Sequence, residues 1–485
     1  MNRRQFSKSG LLLGMGLAGG RSHEVAASGE ASLDFYQEAA RKLPARQFDV
    51  VVAGGGTAGL VAAIAAARQG AKTVLIEIKG YPGGGVTEGG TALHSFFNHW
   101  RPFPGVQKRQ VVKGIPQEII DRLVKIGGCT GHGEQTIGPR DSSCTVVDTE
   151  LYKLVSLQMM AEAGVYMCMN TMLVGAIKDG SRIRGVIAES RAGREVFFAK
   201  SFVDSTGYGD LAAFAGAEYT EPNDYDVANA MGLGNVNIDR LNEWVRQHDA
   251  LSECAVGRRS GEDDRIIRVH GVTAKLPPEL AREAKEIGLQ FTTTTVYDNY
   301  FMFVKLNLRL GKSPTNRDEV SKAELDLRQR QLLCLQLFKK WIPGCEKAFI
   351  ARTAPTLNIR RGRLITCDYD MRHEDVIDGR HFEDDVYAFS YHDDARYRVK
   401  DGGTWGMPYK ALRPKGIENL LVAGMLVTSD RRAHQSTRNT VSCMAQGQAA
   451  GTAAALCAPR NKGTRELPYG QLRDALVKGG VYFES

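Results

Sequence analysis

Residues 48–68 read FDVVVAGGGTAGLVAAIAAAR, and this stretch decides the fold. Phe48 to Ala53 is a short, mostly apolar run with three valines, the pattern of a buried parallel strand. It runs straight into Gly54-Gly55-Gly56-Thr57-Ala58-Gly59, and Leu60 to Arg68 is alanine-rich and helical in character. Strand, G-x-G-x-x-G and helix in that order make a dinucleotide fingerprint. Gly54 permits the tight turn, Gly56 lets the backbone approach a pyrophosphate, and Gly59 lets the helix pack on the strand. The helix N-terminus offers N–H groups and a positive dipole end to the phosphates.

Working outward, Lys72 to Ile78 reads as a second strand and places Glu77 eighteen residues after Gly59. A carboxylate there accepts both hydroxyls of an adenosine ribose. Fingerprint and acid suit NAD and FAD equally, and three further segments favour FAD. The first is Gly83-Gly84-Gly85-Val86-Thr87-Glu88-Gly89, a second glycine-rich loop for which NAD has no use. The second begins at Asp148, which suits the cap of a helix with Leu151, Leu154, Val155 and Met159 on one face and an end at Gly164. A meander with turns near Asp179-Gly180 and Ala192-Gly193 leads on to the strand Phe202-Val203-Asp204-Ser205-Thr206-Gly207. The third is Asn419 to Gly424, a strand ending in glycine, followed by a small-residue helix over Cys443 to Leu456. That helix suits close packing on the first loop, with its N-terminus toward the pyrimidine edge of a flavin.

With these motifs the chain resembles the FAD-dependent oxidoreductase family among the glutathione-reductase-like two-domain flavoproteins. The resemblance rests on G-G-G-T-A-G at 54–59, G-G-x-x-T-x-G at 83–89, D-S-T-G-Y-G-D at 204–210 and N-L-L-V-A-G at 419–424. A-H-Q-S-T-R at 433–438 and C-M-A-Q-G-Q-A-A-G at 443–451 complete it. It implies an α/β fold: a Rossmann-like FAD-binding domain, parallel sheet with β-meander, plus an inserted α+β substrate domain. It also implies cofactor contacts from Gly54, Gly56, Thr57, Ala58, Gly59, Glu77 and Lys79. Gly84, Thr87, Leu173, Thr206, Gly207, Asp210, Gly424 and Gly447 are implied in the same way. Tyr208 departs from the family, which more often has an acid there. The expected division is 46–218 and 401–462 for FAD, 219–400 for substrate, and 463–485 as a tail.

A bound flavin carries the electrons, so the protein has to orient substrate and move protons. His434 and Arg438 lie in the loop after the Gly424 strand, where a histidine can exchange a hydroxyl proton and an arginine can hold a carboxylate or polarise a carbonyl. The alternative is that both hold the loop by hydrogen bonds. His392 is a second catalytic candidate, with a surface histidine as its alternative. His94 and His99 follow the second glycine loop and suit either the ring or polar packing. The Arg360-Arg361-Gly362-Arg363 cluster suits an acidic substrate or pairing with Asp368, Asp370 and Glu374. Trp405 and Tyr409 suit a stacking wall or, by default, the core.

The chain opens Asn2-Arg3-Arg4-Gln5-Phe6-Ser7-Lys8, followed by a short apolar run and then Val25-Ala26-Ala27. This order is that of an export signal over residues 1–27, with a linker over 28–45. Its paired arginines resemble the twin-arginine pattern, which implies the twin-arginine translocation machinery as a partner and a periplasmic or otherwise exported product. No segment is long enough for a membrane span in the mature protein. The net charge is +8; residues 1–27 hold four of the cations and one acid, leaving +5. The remaining Lys and Arg are scattered among acids, which argues against nucleic acid as a partner. The nine cysteines show neither C-x-x-C nor zinc spacing, so no metal is expected, and most suit burial as small hydrophobes, with one or two disulfides open to an exported chain. Outside the cytoplasm NAD(P)H is scarce. The expected reaction is therefore dehydrogenation of a small hydroxyl-bearing molecule, with electrons passed to a quinone, a cytochrome or oxygen. Reduction of an activated double bond, fed by a membrane donor, is the runner-up, and a non-catalytic FAD-binding electron carrier is the alternative of another class.

Overall fold

Val50–Ala53 forms a strand with all four residues buried, flanked in parallel by Thr73–Ile76 and Ser201–Asp204. Leu420–Val422 and Tyr166–Cys168 add the outer strands, so the sheet is five-stranded and parallel throughout. Runs this short and apolar are stable as strands only when both faces are covered. The Thr57–Arg68 helix supplies part of that cover, and the Thr440–Cys457 helix packs on it. A Cβ on Gly447 would stand 2.1 Å from the Ala58 carbonyl oxygen, and one on Gly451 2.1 Å from that of Ala62. The two helices thus touch backbone to backbone, and only hydrogen fits between them. The computed structural model describes residues 38–94, 109–138, 143–390, 399–400 and 403–484, and Leu43–Ser485 forms one unit.

The expected meander is present: Met172–Asp179, Arg182–Ser190 and Gly193–Phe198 pair antiparallel in sequence order. Asp148 caps the Thr149–Glu162 helix, its Oδ1 accepting from the amides of Glu150 and Leu151 at 2.8 Å each. Leu154 does not share the buried face as expected and is 47% exposed. The covered arc follows Tyr152, Val155, Ser156 and Met159, an i, i+3, i+4, i+7 series that leaves Leu154 outside.

Between the second and fourth flavin motifs the chain builds two further sheets. A four-stranded antiparallel sheet of Leu289–Gln290, Tyr300–Leu308, Val227–Gly234 and Phe349–Thr353 packs against the Arg317–Trp341 helix, sharing a core with Leu233, Leu306, Leu327 and Phe338. A six-stranded sheet runs Thr292–Thr294, Glu262–Gly271, Leu251–Arg259, Gly133–Ile137, Ser143–Thr145 and Leu93–His94. Its strands come from both sides of residue 219, because Leu251–Arg259 finds its outer partner in Gly133–Ile137. Phe389 likewise pairs with Trp405 across residue 400. Trp405 and Tyr409 are core residues. All nine cysteines are free thiols, and all except Cys168 are buried. Among the described residues no helix is long and apolar enough to cross a membrane.

Candidate flavin and substrate site

At the Val50–Ala53 strand end, Gly54 turns with φ +88°, and a Cβ there would meet the Ser205 carbonyl oxygen at 2.6 Å. No other residue fits. Gly56 stands at the N-cap of the following helix, so no side chain occupies its first-turn amides. The two glycine loops are joined to each other: Gly83 N–H donates to the Gly55 carbonyl at 2.8 Å, and Thr57 Oγ1 to the Gly83 carbonyl at 3.0 Å. The Glu77 carboxylate accepts from Gly55 N–H at 2.6 Å and from Lys79 N–H at 2.9 Å, one per oxygen. Each oxygen keeps a second lone pair for a ribose hydroxyl. Burial raises this carboxyl above its ordinary value, and the two amide bonds oppose that.

The third loop is organised by Asp204, which is buried in full. Its Oδ1 accepts from both N–H and Oγ1 of Thr206, and its Oδ2 from Ala212 N–H at 2.8 Å. Desolvation pushes this carboxyl up to about 6, against those hydrogen bonds. Asp210 pairs with Arg363 at 2.9 Å. Arg363 also donates to the Tyr208 carbonyl at 3.1 Å, so a cation stands beside the position where the family more often has an acid.

A cavity of about 700 Å³ begins at these loops. Gly54, Gly56, Thr57, Ala58, Glu77 and Lys79 line one end, and Gly84, Leu173, Thr206, Gly207, Asp210 and Gly424 continue the wall. Ile78 and Met172, both more than half exposed, lie in the wall with Glu77 and offer apolar surface that a flat adenine would cover. Asn439, Thr440 and Cys443, at the start of the Thr440–Cys457 helix, also line the cavity, placing a positive dipole end at its wall. Uncapped helix amides, a ribose-directed carboxylate, an apolar shelf and a second glycine loop fit FAD.

Three residues expected at the cofactor lie outside the cavity wall. Gly59 packs against the Gly54 carbonyl and Ser205 Oγ, Gly447 packs against Ala58, and Thr87 Oγ1 donates to the Pro82 and Gly84 carbonyls inside its own loop. They shape the site from behind. Of the catalytic candidates, Arg438 lines the cavity. His434 does not. It is buried in full, with Nε2 3.0 Å from the Arg360 carbonyl oxygen and Nδ1 3.1 Å from Ser429 Oγ. Burial, and the charges of Arg438 and Arg361, hold it well below the ordinary histidine range, so it is neutral and already engaged at both nitrogens. This is the loop-holding arrangement that the sequence left open as the alternative to a proton shuttle. His392 and His99 lie outside the described residues.

The arginine cluster divides its work. Arg360 lines the cavity, Arg361 pairs with Asp224 at 2.8 Å, and Arg363 with Asp210. The expected acid Asp368 pairs instead with Arg413 and Arg465. The far wall holds Glu253, Arg268, His270, Gln290, Thr292 and Lys305, which the motifs did not point to. Arg268 donates to Glu253 at 2.8 Å, and His270 Nδ1 meets Thr292 Oγ1. The available signal was alternation. Arg268 and His270 interleave with the buried Ile267 and Val269, so one face of a strand is polar yet covered. Among the described residues no group of His, Cys, Asp or Glu is placed to hold a metal ion.

The chain matches the family model described as FAD dependent oxidoreductase over residues 49–476. It is 39% identical over 83 residues to a 3-oxosteroid 1-dehydrogenase of Mycolicibacterium smegmatis, covering 17% of this chain and 14% of that one. A 3-oxosteroid 1-dehydrogenase of Mycobacterium tuberculosis matches at 37% over the same length, with the same coverage of each chain. The match thus spans about 14% of the length of these curated relatives. Among solved structures, a geranylgeranyl bacteriochlorophyll reductase-like protein from Thermoplasma acidophilum is 14% identical with a TM-score of 0.43, over 90% of this chain and 83% of that one.

Proposed function

The chain belongs to the FAD dependent oxidoreductase family, and we propose that it dehydrogenates a small hydroxyl-bearing organic substrate and passes the electrons to an acceptor other than NAD. The observation that carries this reading is that one cavity is lined both by the glycine loops and by the polar side chains Glu253, Arg268, His270, Gln290, Thr292 and Lys305. FAD, when bound, supplies acceptance of a hydride or its equivalent. The chain's own residues bind and orient. Gln290, Thr292 and Asn358 offer donors and acceptors matched to hydroxyls. His270 is the group in this wall whose ordinary titration range lies nearest neutrality, and we assign it the substrate hydroxyl proton.

Residues 219–400 supply most of that wall, and we read them, together with the 133–145 strands, as the substrate-binding module. The quinone, cytochrome or oxygen partner remains part of the proposal, as does export by the twin-arginine route. For export the check is Arg3→Lys with Arg4→Lys, which should abolish accumulation outside the cytoplasm, because the guanidinium pair and not charge alone is recognised. The redox reading is tested by anaerobic mixing of the yellow holoenzyme with hydroxylated acids, polyols and sterols. Bleaching of the flavin by a hydroxylated compound supports it. No bleaching, combined with reoxidation of dithionite-reduced enzyme by activated alkenes, would replace it with the reductase.

A further inference from the structure

The Thr440–Cys457 helix is made mostly of alanine, glycine and other small residues, yet it carries a glutamine, Gln446, that is buried in full. A glutamine is rarely so deep unless its amide has partners. Gln446 Oε1 accepts from the Gly424 N–H at 2.8 Å, and Nε2 donates to the Thr437 carbonyl at 2.7 Å. An N–H only donates and a carbonyl only accepts, so these two partners fix which end of the amide is which. Nε2 also faces Tyr387 OH at 3.3 Å, and that hydroxyl meets Ser442 Oγ at 2.7 Å. Tyr387 and Ser442 are buried as well.

Both turns that the amide joins border the cavity. Gly424 is in its wall, and Thr437 immediately precedes Arg438, Asn439 and Thr440, which are in it too. Gln446 stands behind this wall, reaching from the end of the Leu420–Val422 strand to the turn that starts its own helix. Gly424 turns with φ +110°, a conformation that suits glycine, and its N–H goes to this one side chain. The helix start is held locally as well, Asn439 Oδ1 accepting from Val441 N–H at 3.1 Å. Core packing alone requires none of this, because a methionine fills a similar volume with no amide to satisfy.

We propose that Gln446 is a positioning residue of the flavin site. It holds the Gly424 turn and the Thr437–Asn439 turn at the separation that brings the helix start to the cavity, and so sets how readily bound FAD is reduced. The positive dipole end of a helix stabilises electrons added to a flavin, and the effect falls off within one turn. A displaced helix start therefore changes the reduction potential before it changes retention. Glu77 and the Gly54–Gly59 loop, which suit the ribose and pyrophosphate, lie on other elements. This role depends on the flavin site alone and is the same for a dehydrogenase or a reductase.

The test is anaerobic equilibration of purified holoenzyme with a reference dye, which reads the flavin potential with no substrate present, alongside FAD content and Tm. Gln446→Met keeps the volume and loses both bonds to the turns. At a fixed applied potential its ratio of reduced to oxidised flavin should fall about 10-fold or more with FAD retained, a shift of about 30 mV for two electrons. Tyr387→Phe leaves both bonds to the turns in place, so it should lower Tm while that ratio stays within about twofold of native. A native potential in flavin-replete Gln446→Met overturns the positioning role. An equal shift in Tyr387→Phe also overturns it, by assigning the effect to general loosening of the core. If Gln446→Met does not fold, Gln446→Asn carries the same expectation and the same refutation, since that amide is one methylene too short to reach both turns. Folded but colourless variants at position 446 overturn the role too, by assigning Gln446 to FAD retention. Failure of every hydroxylated compound to bleach the flavin would sink the dehydrogenase reading and leave these potentials unaffected.

Discussion

The two ends of the cavity are built from different materials. The fingerprint end is shaped by backbone: a turn at Gly54, the first-turn amides after Gly56, and amides that orient Glu77. At the other end they come from side chains on strands far apart in sequence: Glu253, Arg268 and His270, Thr292, and Lys305. A backbone site tolerates almost no change at its glycines, because geometry is the function. A side-chain site can be re-aimed one residue at a time while the fold stays whole. Damage should therefore show as loss of colour at one end and loss of rate at the other.

The largest expected effect is at the backbone end. Gly54→Val forces a branched side chain into φ +88° and into the Ser205 carbonyl, so the purified protein should be colourless, with no FAD released on denaturation. A yellow, flavin-replete Gly54→Val protein would break the contrast outright. Next comes His270→Gln at the side-chain end. It should retain FAD while flavin reduction by a bleaching substrate slows by about 10²–10⁴-fold, as expected for a lost acid–base group. Stopped-flow rates within a few-fold of native would take His270 out of the chemistry.

The smallest effect sharpens the contrast through pH. Burial lifts Asp204 to about 6 in the folded protein, from an ordinary value near 4. The folded state thus keeps this proton after the unfolded chain has released it. The stabilisation linked to Asp204 is full below about pH 4 and is lost as pH rises through about 6, by roughly 3 kcal/mol at most. Asp204→Asn, which does not titrate, should flatten that part of a Tm-against-pH curve. It should also loosen FAD, because an amide cannot accept at both ends from Thr206 and Ala212. An unchanged slope would mean that Asp204 is not the group responsible.

Legibility in the sequence followed the same division. Gly54 was readable because a tight turn at a strand end demands glycine, and it turns there with φ +88°; Gly56 and Glu77 line the cavity at the spacing that the fingerprint sets. Gly447 was readable as a packing helix but not as the residue lying on Ala58, since helix-to-helix distance is a tertiary quantity. His434 shows the limit most plainly. Its place in the loop after the Gly424 strand is legible, yet the imidazole is buried toward the Arg360 carbonyl, and no local pattern encodes that choice. The Arg268 and His270 alternation was present but resembled any half-exposed strand until Leu251–Arg259 and Thr292–Thr294 closed around it.

Ala58 and Gly447 meet though almost four hundred positions separate them along the chain. During synthesis the Thr57–Arg68 helix leaves the ribosome well before the Thr440–Cys457 helix, so Ala58 and Ala62 lack their Gly447 and Gly451 partners until that helix is made. The Ala58–Gly447 contact closes a loop of almost four hundred residues, a pairing of high contact order. Nucleotide capture is thereby coupled to completion of the polypeptide: a nascent chain lacking the late helix has half a cradle.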